Sequence, residues 1–169
     1  RLVGFLAELP LSVAGVTVNR FCGSSMQAIH MAAGALRMGA GEAYICAGVE
    51  SMSRIPMTGF NPMPHPGLYE SHPEAYMGMG ETAENLALKY DIGRGEQDAF
   101  AVESHTRAVA AINEGRFKDE IVAIEIPGRK GETTTLDTDE HPRYKKANGH
   151  YELATSLADM ARLKPAFRE

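Results

Sequence analysis

The chain has 169 residues, 44% of them hydrophobic and 23% charged, a globular composition that excludes a disordered or fibrous polypeptide. A net charge of -5 and a pI near 5.7 leave no basic field, and no lysine and arginine cluster is interleaved with aromatics, so nucleic acid is not an expected partner. No apolar run approaches the roughly 18 to 20 residues of a membrane span, and the N-terminus lacks the basic, apolar, small-residue order of a signal peptide.

Val13 to Val18 carries β-branched residues and reads as a short buried strand. After a turn at Asn19 to Gly23, Ser24 to Met38 is apolar nearly all round and predicts a helix buried on most sides, stopped by Gly39 and Gly41. The continuous apolar run Ala43 to Val49 reads as a second buried strand. Strand, helix, strand in succession predicts a layered α/β core with a parallel pair.

From Ser53 to about Tyr76 the composition shifts: Pro56, Pro62, Pro64, Pro66 and Pro73 are five of the nine prolines, and they predict an extended loop and a boundary. Glu81 to Tyr90 and Glu96 to Asn113 read as helices, separated by Asp91-Ile92-Gly93, with Gly115 ending the second. Ile121 to Ile126 and Glu132 to Leu136 read as strands about the turn Pro127 to Gly131. Asp137 to His150 reads as a polar loop, after which Thr155 is the expected cap of a short helix running to Leu163.

The two cysteines, Cys22 and Cys46, are too few for a disulfide framework and fit a reducing compartment, the cytoplasm or an organelle matrix. Cys46 sits inside an apolar strand pattern and reads as inert core. Cys22 stands at a strand-to-helix bend, where roughly half a positive charge at the helix N-terminus favours thiolate over thiol. Backbone N–H groups of the first turn are oriented to stabilise an oxyanion formed there. Position alone leaves two readings of Cys22, a nucleophile or one more packed small residue. No cluster has metal-ligand spacing. His30 fits packing or local bonding inside its helix, and His65, His72 and His105 fit solvated or interface roles.

The stretch from Val18 to Ile29, VNRFCGSSMQAI, resembles the signature around the acyl-accepting cysteine of thiolases. Ala47 to Ser53 (AGVESMS), Met79 to Asn85 (MGETAEN) and Gly115 to Ile121 (GRFKDEI) resemble further segments of that family, in the same order. The resemblance implies a layered thiolase-like core, part of an αβαβα arrangement, with an inserted α+β loop domain. Residues 1–53 then belong to the N-terminal core domain and residues 54–169 to the loop domain. It implies acyl transfer between a 3-ketoacyl-CoA and CoA through a thioester on Cys22, with no permanently bound cofactor. CoA and acyl-CoA enter as substrates.

Met79 corresponds to a methionine lining the acyl pocket, although generic packing beside Met77 fits it equally. Arg143 corresponds to a CoA-binding arginine, a role that suits its planar, permanently charged fork, with a solvated loop charge as the alternative. Phe167 corresponds to a phenylalanine against the pantetheine or adenine. The extra residues Tyr144 to Tyr151 depart from the family pattern, and their lysines either reinforce phosphate binding or displace the arginine. The family's second cysteine and activating histidine belong to a C-terminal half absent from these 169 residues. The opening at Arg1 and the stop at Phe167-Arg168-Glu169 likewise suggest a piece of a longer polypeptide.

The family analogy favours degradative breakage of fatty acyl chains. It also implies a homo-oligomer, a homodimer or a homotetramer, and the short loop between Ser53 and Met77, with little room for the hairpin that joins pairs of dimers in some members, favours the dimer. Two alternatives stay open at this level: a ketosynthase-like condensing enzyme with its cysteine at the same bend, and a non-catalytic fragment or subunit serving assembly.

Overall fold

A computed structural model describes residues 1–128 and 131–168, and the chain divides into two compact units, Arg1–Met63 and Pro64–Glu169. Arg129 and Lys130, in the expected turn, lie outside the described residues.

In the first unit, α1 (Leu2–Leu6) is a short helix after Arg1, whose guanidinium lies 4.3 Å from the centre of the Phe5 ring and donates to the Leu11 carbonyl at 3.1 Å. The second helix, α2 (Ser24–Arg37), ends one residue before the expected Met38. Its end is a Schellman motif: Gly39 takes φ 70° and donates to Leu36, and Ala40 donates to Ala35 at 2.9 Å. Gly48 lies directly against the Ser25 side chain, a contact that leaves no room for a Cβ.

Two expectations for this unit are corrected. Val13 to Val18 and Ala43 to Val49 stand outside any β-ladder among the described residues, and no residue of α2 is buried. Hydropathy reports how strongly a segment favours burial, whereas a ladder also needs a neighbouring backbone with its N–H and C=O groups in register. Cys46, expected as inert core, is exposed for the same reason.

The second unit opens with structure inside the expected loop. His65 caps α3 (Pro66–Ser71), its Nδ1 accepting from the Leu68 N–H at 3.3 Å, and Pro66 occupies the first helical position. A 3-10 turn follows at Pro73–Tyr76. Then come α4 (Met79–Tyr90) and α5 (Arg94–Asn113), each beginning two residues earlier than expected. Asp91 turns the chain at φ 53° between them, and the Glu96 carboxylate accepts from the Gly93 N–H at 3.0 Å to start α5. Gly115, at φ 69°, ends it.

Two antiparallel hairpins follow. The first pairs β1 (Ile124–Pro127) with β2 (Thr133–Leu136), and Ile124 faces Leu136. The second pairs β3 (Tyr144–Ala147) with β4 (His150–Leu153). This second hairpin replaces the expected polar loop. Asn148 and Gly149, at φ 52° and 78°, form its two-residue turn, the dipeptide such turns favour.

Ser156, not Thr155, caps the last helix α6 (Leu157–Ala161), accepting from the Asp159 N–H at 3.2 Å. The buried residues Val109, Met160 and Thr155 place a small core where α5 meets α6. Arg94 fastens that junction by donating through Nη2 to the Met160 and Leu163 carbonyls at 2.8 and 2.9 Å. Among the described residues no helix is long and apolar enough to cross a membrane.

Candidate active site

The Asn19 to Gly23 turn is built by polar side chains that bond to their own backbone. Asn19 Oδ1 accepts from the Phe21 N–H at 2.9 Å. Ser24 Oγ accepts from the Arg20 N–H at 2.8 Å and donates to the Phe21 carbonyl at 2.6 Å. Arg20 reaches forward to Gln27 Oε1 at 2.6 Å, tying the turn to the first turn of α2. These bonds hold Phe21 at φ 49°, a left-handed conformation that costs a bulky residue about 1 to 2 kcal/mol. The next residue is Cys22, a free and exposed thiol one position before Gly23, the N-cap of α2. The sequence expectation of a cysteine at the mouth of a helix is met geometrically, and the dipole of that helix end favours an anion there, although the Gly23 and Ser24 N–H groups are taken by the Arg20 and Phe21 carbonyls at 3.0 Å.

In the second unit, Met79 is the first residue of α4 and 63% exposed. Phe167, 59% exposed, lays its ring on Gly80 in the opening turn of α4. The ring lines a cavity of about 360 Å³ with Gly80, Ala83, Leu86 and Ile92. Arg168 anchors the segment, donating to Glu81 Oε2 at 2.9 Å and to Asn85 Oδ1 at 2.8 Å. The structure thus brings Phe167 onto α4, and the clasp that holds it there, Arg168 to Glu81 and Asn85, has no signal in the local sequence because 83 or more positions separate its ends.

Arg143 stands at the base of the β3–β4 hairpin with its side chain exposed. Its N–H donates to His105 Nδ1 of α5 at 3.2 Å, and its carbonyl accepts from the Ala154 N–H at 2.9 Å. The two added lysines engage within the hairpin. Lys145 pairs with Glu152 across the strands at 2.9 Å, and Lys146 lies 5.3 Å from the centre of the Tyr151 ring. The Tyr144 and Tyr151 rings meet edge to face at 4.9 Å. Partial burial, with Tyr151, Glu140 and Asp139 nearby, holds the Tyr144 hydroxyl above its ordinary pKa, against an opposing pull from Lys146. Asn113 clasps Tyr151 from α5, a contact that sequence reasoning missed. Its only local trace is Asn148-Gly149, which marks the hairpin but not what holds it.

All 169 residues match the family model described as the N-terminal domain of thiolase. A 3-ketoacyl-CoA thiolase of Bacillus subtilis is 46% identical over 146 residues, covering 86% of this chain and 36% of that protein. An acetyl-CoA acetyltransferase of Pseudomonas aeruginosa is 41% identical over 183 residues, covering 100% of this chain and 44% of that protein. Among solved structures, the acetyl-CoA acetyltransferase of Bacillus anthracis matches with a TM-score of 0.76 at 37% identity, over 100% of this chain and 43% of that one. The dimeric peroxisomal thiolase of Saccharomyces cerevisiae matches with a TM-score of 0.81 at 29% identity, over 99% and 40%. The chain therefore spans less than half the length of these relatives. The likenesses bear out the α/β fold class expected from the sequence.

Proposed function

The chain belongs to the thiolase family through its N-terminal domain, and on that premise we propose that the whole protein is an acyltransferase that cleaves 3-ketoacyl-CoA with CoA, or runs the reverse condensation. In this reading Cys22 thiolate bonds to the 3-keto carbon, and collapse of the tetrahedral oxyanion breaks the bond between carbons 2 and 3. The departing electron pair leaves as the enolate of acetyl-CoA, which takes up a proton, while the shortened acyl group stays on Cys22 as a thioester. CoA thiolate then attacks that thioester, and Cys22 leaves as thiolate. No oxidant or reductant is consumed, and CoA and acyl-CoA are substrates rather than resident cofactors.

The observation that carries this reading is the turn that seats an exposed Cys22 at the N-terminus of α2, within the region matched to the family. Met79 is assigned to the acyl moiety and Phe167 to the CoA moiety, a reading supported by the contact of the Phe167 ring with Gly80, the residue after Met79. Arg143 is assigned to a CoA phosphate. Residues 1–53 are assigned to the nucleophile-bearing core domain and 54–169 to a loop domain. The assembly is a homodimer, and the compartment is the cytoplasm or an organelle matrix.

The test is to incubate the intact protein with a short 3-ketoacyl-CoA, quench in acid and map the peptides by mass. An acyl group on the Cys22 peptide, absent from Cys22→Ala, is the expected result, with thiolysis in the variant lowered by at least about 10³-fold. Undiminished turnover by Cys22→Ala would overturn the assignment.

A further inference from the structure

An isolated two-stranded hairpin is marginally stable in water, so the position of β3–β4, and with it the place of Arg143, has to be set from outside. The register makes clear where help is needed. Residues Ala147 and His150 flank the two-residue turn, so Lys145 and Glu152 form the next hydrogen-bonded pair, and the chain carbonyl of Arg143 accepts from Ala154 at its end. Lys146 and Tyr151 are the intervening pair, whose backbone N–H and C=O groups point away from the partner strand. On Tyr151 both of these outward groups are taken by one side chain. Asn113 Nδ2 donates to the Tyr151 carbonyl at 2.7 Å, and the Tyr151 N–H donates to Asn113 Oδ1 at 2.9 Å.

A carboxamide carries the same donor and acceptor as a peptide unit, so Asn113 occupies the place that a third strand would take. His105 holds the other end of the hairpin through the Arg143 N–H. Eight residues of helix separate His105 from Asn113, about 12 Å along the axis of α5. Two fixed points that far apart define both the position and the tilt of the hairpin.

We infer that Asn113 is a positioning residue for CoA: by completing the edge of the β3–β4 hairpin it fixes the base from which Arg143 reaches a CoA phosphate. This rests on the reading of Arg143 as a phosphate contact, and the test separates the two. Thiolysis by the intact protein is measured with CoA and with pantetheine, which carries the thiol but no phosphate, for wild type, Asn113→Ala, Arg143→Ala and the double variant. Asn113→Asp, which keeps the acceptor for the Tyr151 N–H and gives up the donor, carries the comparison if the alanine variant does not fold.

Arg143→Ala is expected to raise KM for CoA about tenfold. Asn113→Ala is expected to raise it about fivefold with kcat within about twofold, and Asn113→Asp at least as much, because its second carboxylate oxygen faces the Tyr151 carbonyl, acceptor against acceptor; in the Asn113 variants kcat/KM for pantetheine, which in a ping-pong reaction reports only the half-reaction with the acceptor thiol, stays within about twofold of wild type. The double variant should be no worse than Arg143→Ala alone. A raised KM in Arg143→Ala with none in the Asn113 variants overturns the inference and leaves the arginine reading standing. So does a loss in the Asn113 variants that is equal for CoA and pantetheine, because that is the mark of general unfolding. An unchanged KM in Arg143→Ala overturns the arginine reading and the inference with it.

Discussion

Thr155 and Ser156 carry the same functional group one position apart, and the backbone gives them different tasks. Ser156 has the extended φ and ψ of an N-cap, -145° and 170°, and its Oγ reaches the Asp159 N–H. Thr155 is buried, and its Oγ1 has no hydrogen-bond partner among the described residues. Sequence alone pointed to Thr155 as the cap because both residues are good caps, and a shift of one position lies below what composition resolves. The consequence is a stability prediction. An unpaired buried hydroxyl costs about 1 to 3 kcal/mol, so Thr155→Val, which replaces it with a methyl of similar shape, should stabilise the intact protein by about 1 kcal/mol. Ser156→Ala should destabilise it by a similar amount. Urea unfolding reads both signs, and a lower midpoint for Thr155→Val would mean that the hydroxyl has a partner in the native protein. Cys22 is the opposite case, since its placement at a helix mouth was legible from the polar turn residues and glycine around it, all of which act within seven residues of one another.

Helices α2, α4 and α5 were legible because their signals are local: an apolar period, a glycine or aspartate at the C-terminus, and a glycine with Glu96 at the start of α5. The β3–β4 hairpin was not, since its strands carry lysines and tyrosines rather than an alternating apolar face, and its place depends on Asn113 far away in sequence. Gly80 shows how one element is shaped by another. Inside a helix, glycine to alanine ordinarily adds about 1 kcal/mol of stability. At Gly80 the new Cβ would occupy the space of the Phe167 ring, and the ring would have to leave. Gly80→Ala should therefore show less than the ordinary gain and raise KM for CoA severalfold. In a Phe167→Ala background the same substitution should recover its gain of about 1 kcal/mol and leave KM unaltered. Additive effects of the two substitutions in denaturant unfolding and in KM would show that the ring and the glycine act independently.

At the scale of the whole molecule the decisive quantity is uncovered apolar surface. Large apolar side chains account for much of it, with Val49 96%, Met38 86% and Ile45 81% exposed. Burying such groups contributes about 25 cal/mol per Å², so this surface favours association with whatever apolar surface is offered. The expected buried strands and the all-round apolar α2 lie uncovered because hydropathy marks what favours burial, while no covering layer meets these residues in the described chain. The relatives, of which this chain spans 36% to 44%, have the additional length to supply such layers. Produced by itself, the 169-residue chain should bind a hydrophobic dye strongly, unfold with weak cooperativity and show no thiolysis. The intact protein should bind little dye and turn over 3-ketoacyl-CoA. A sharp thermal transition, low dye binding and full thiolysis by the 169 residues alone would show that their apolar faces cover one another in solution, and that the groups completing the chemistry lie within this chain.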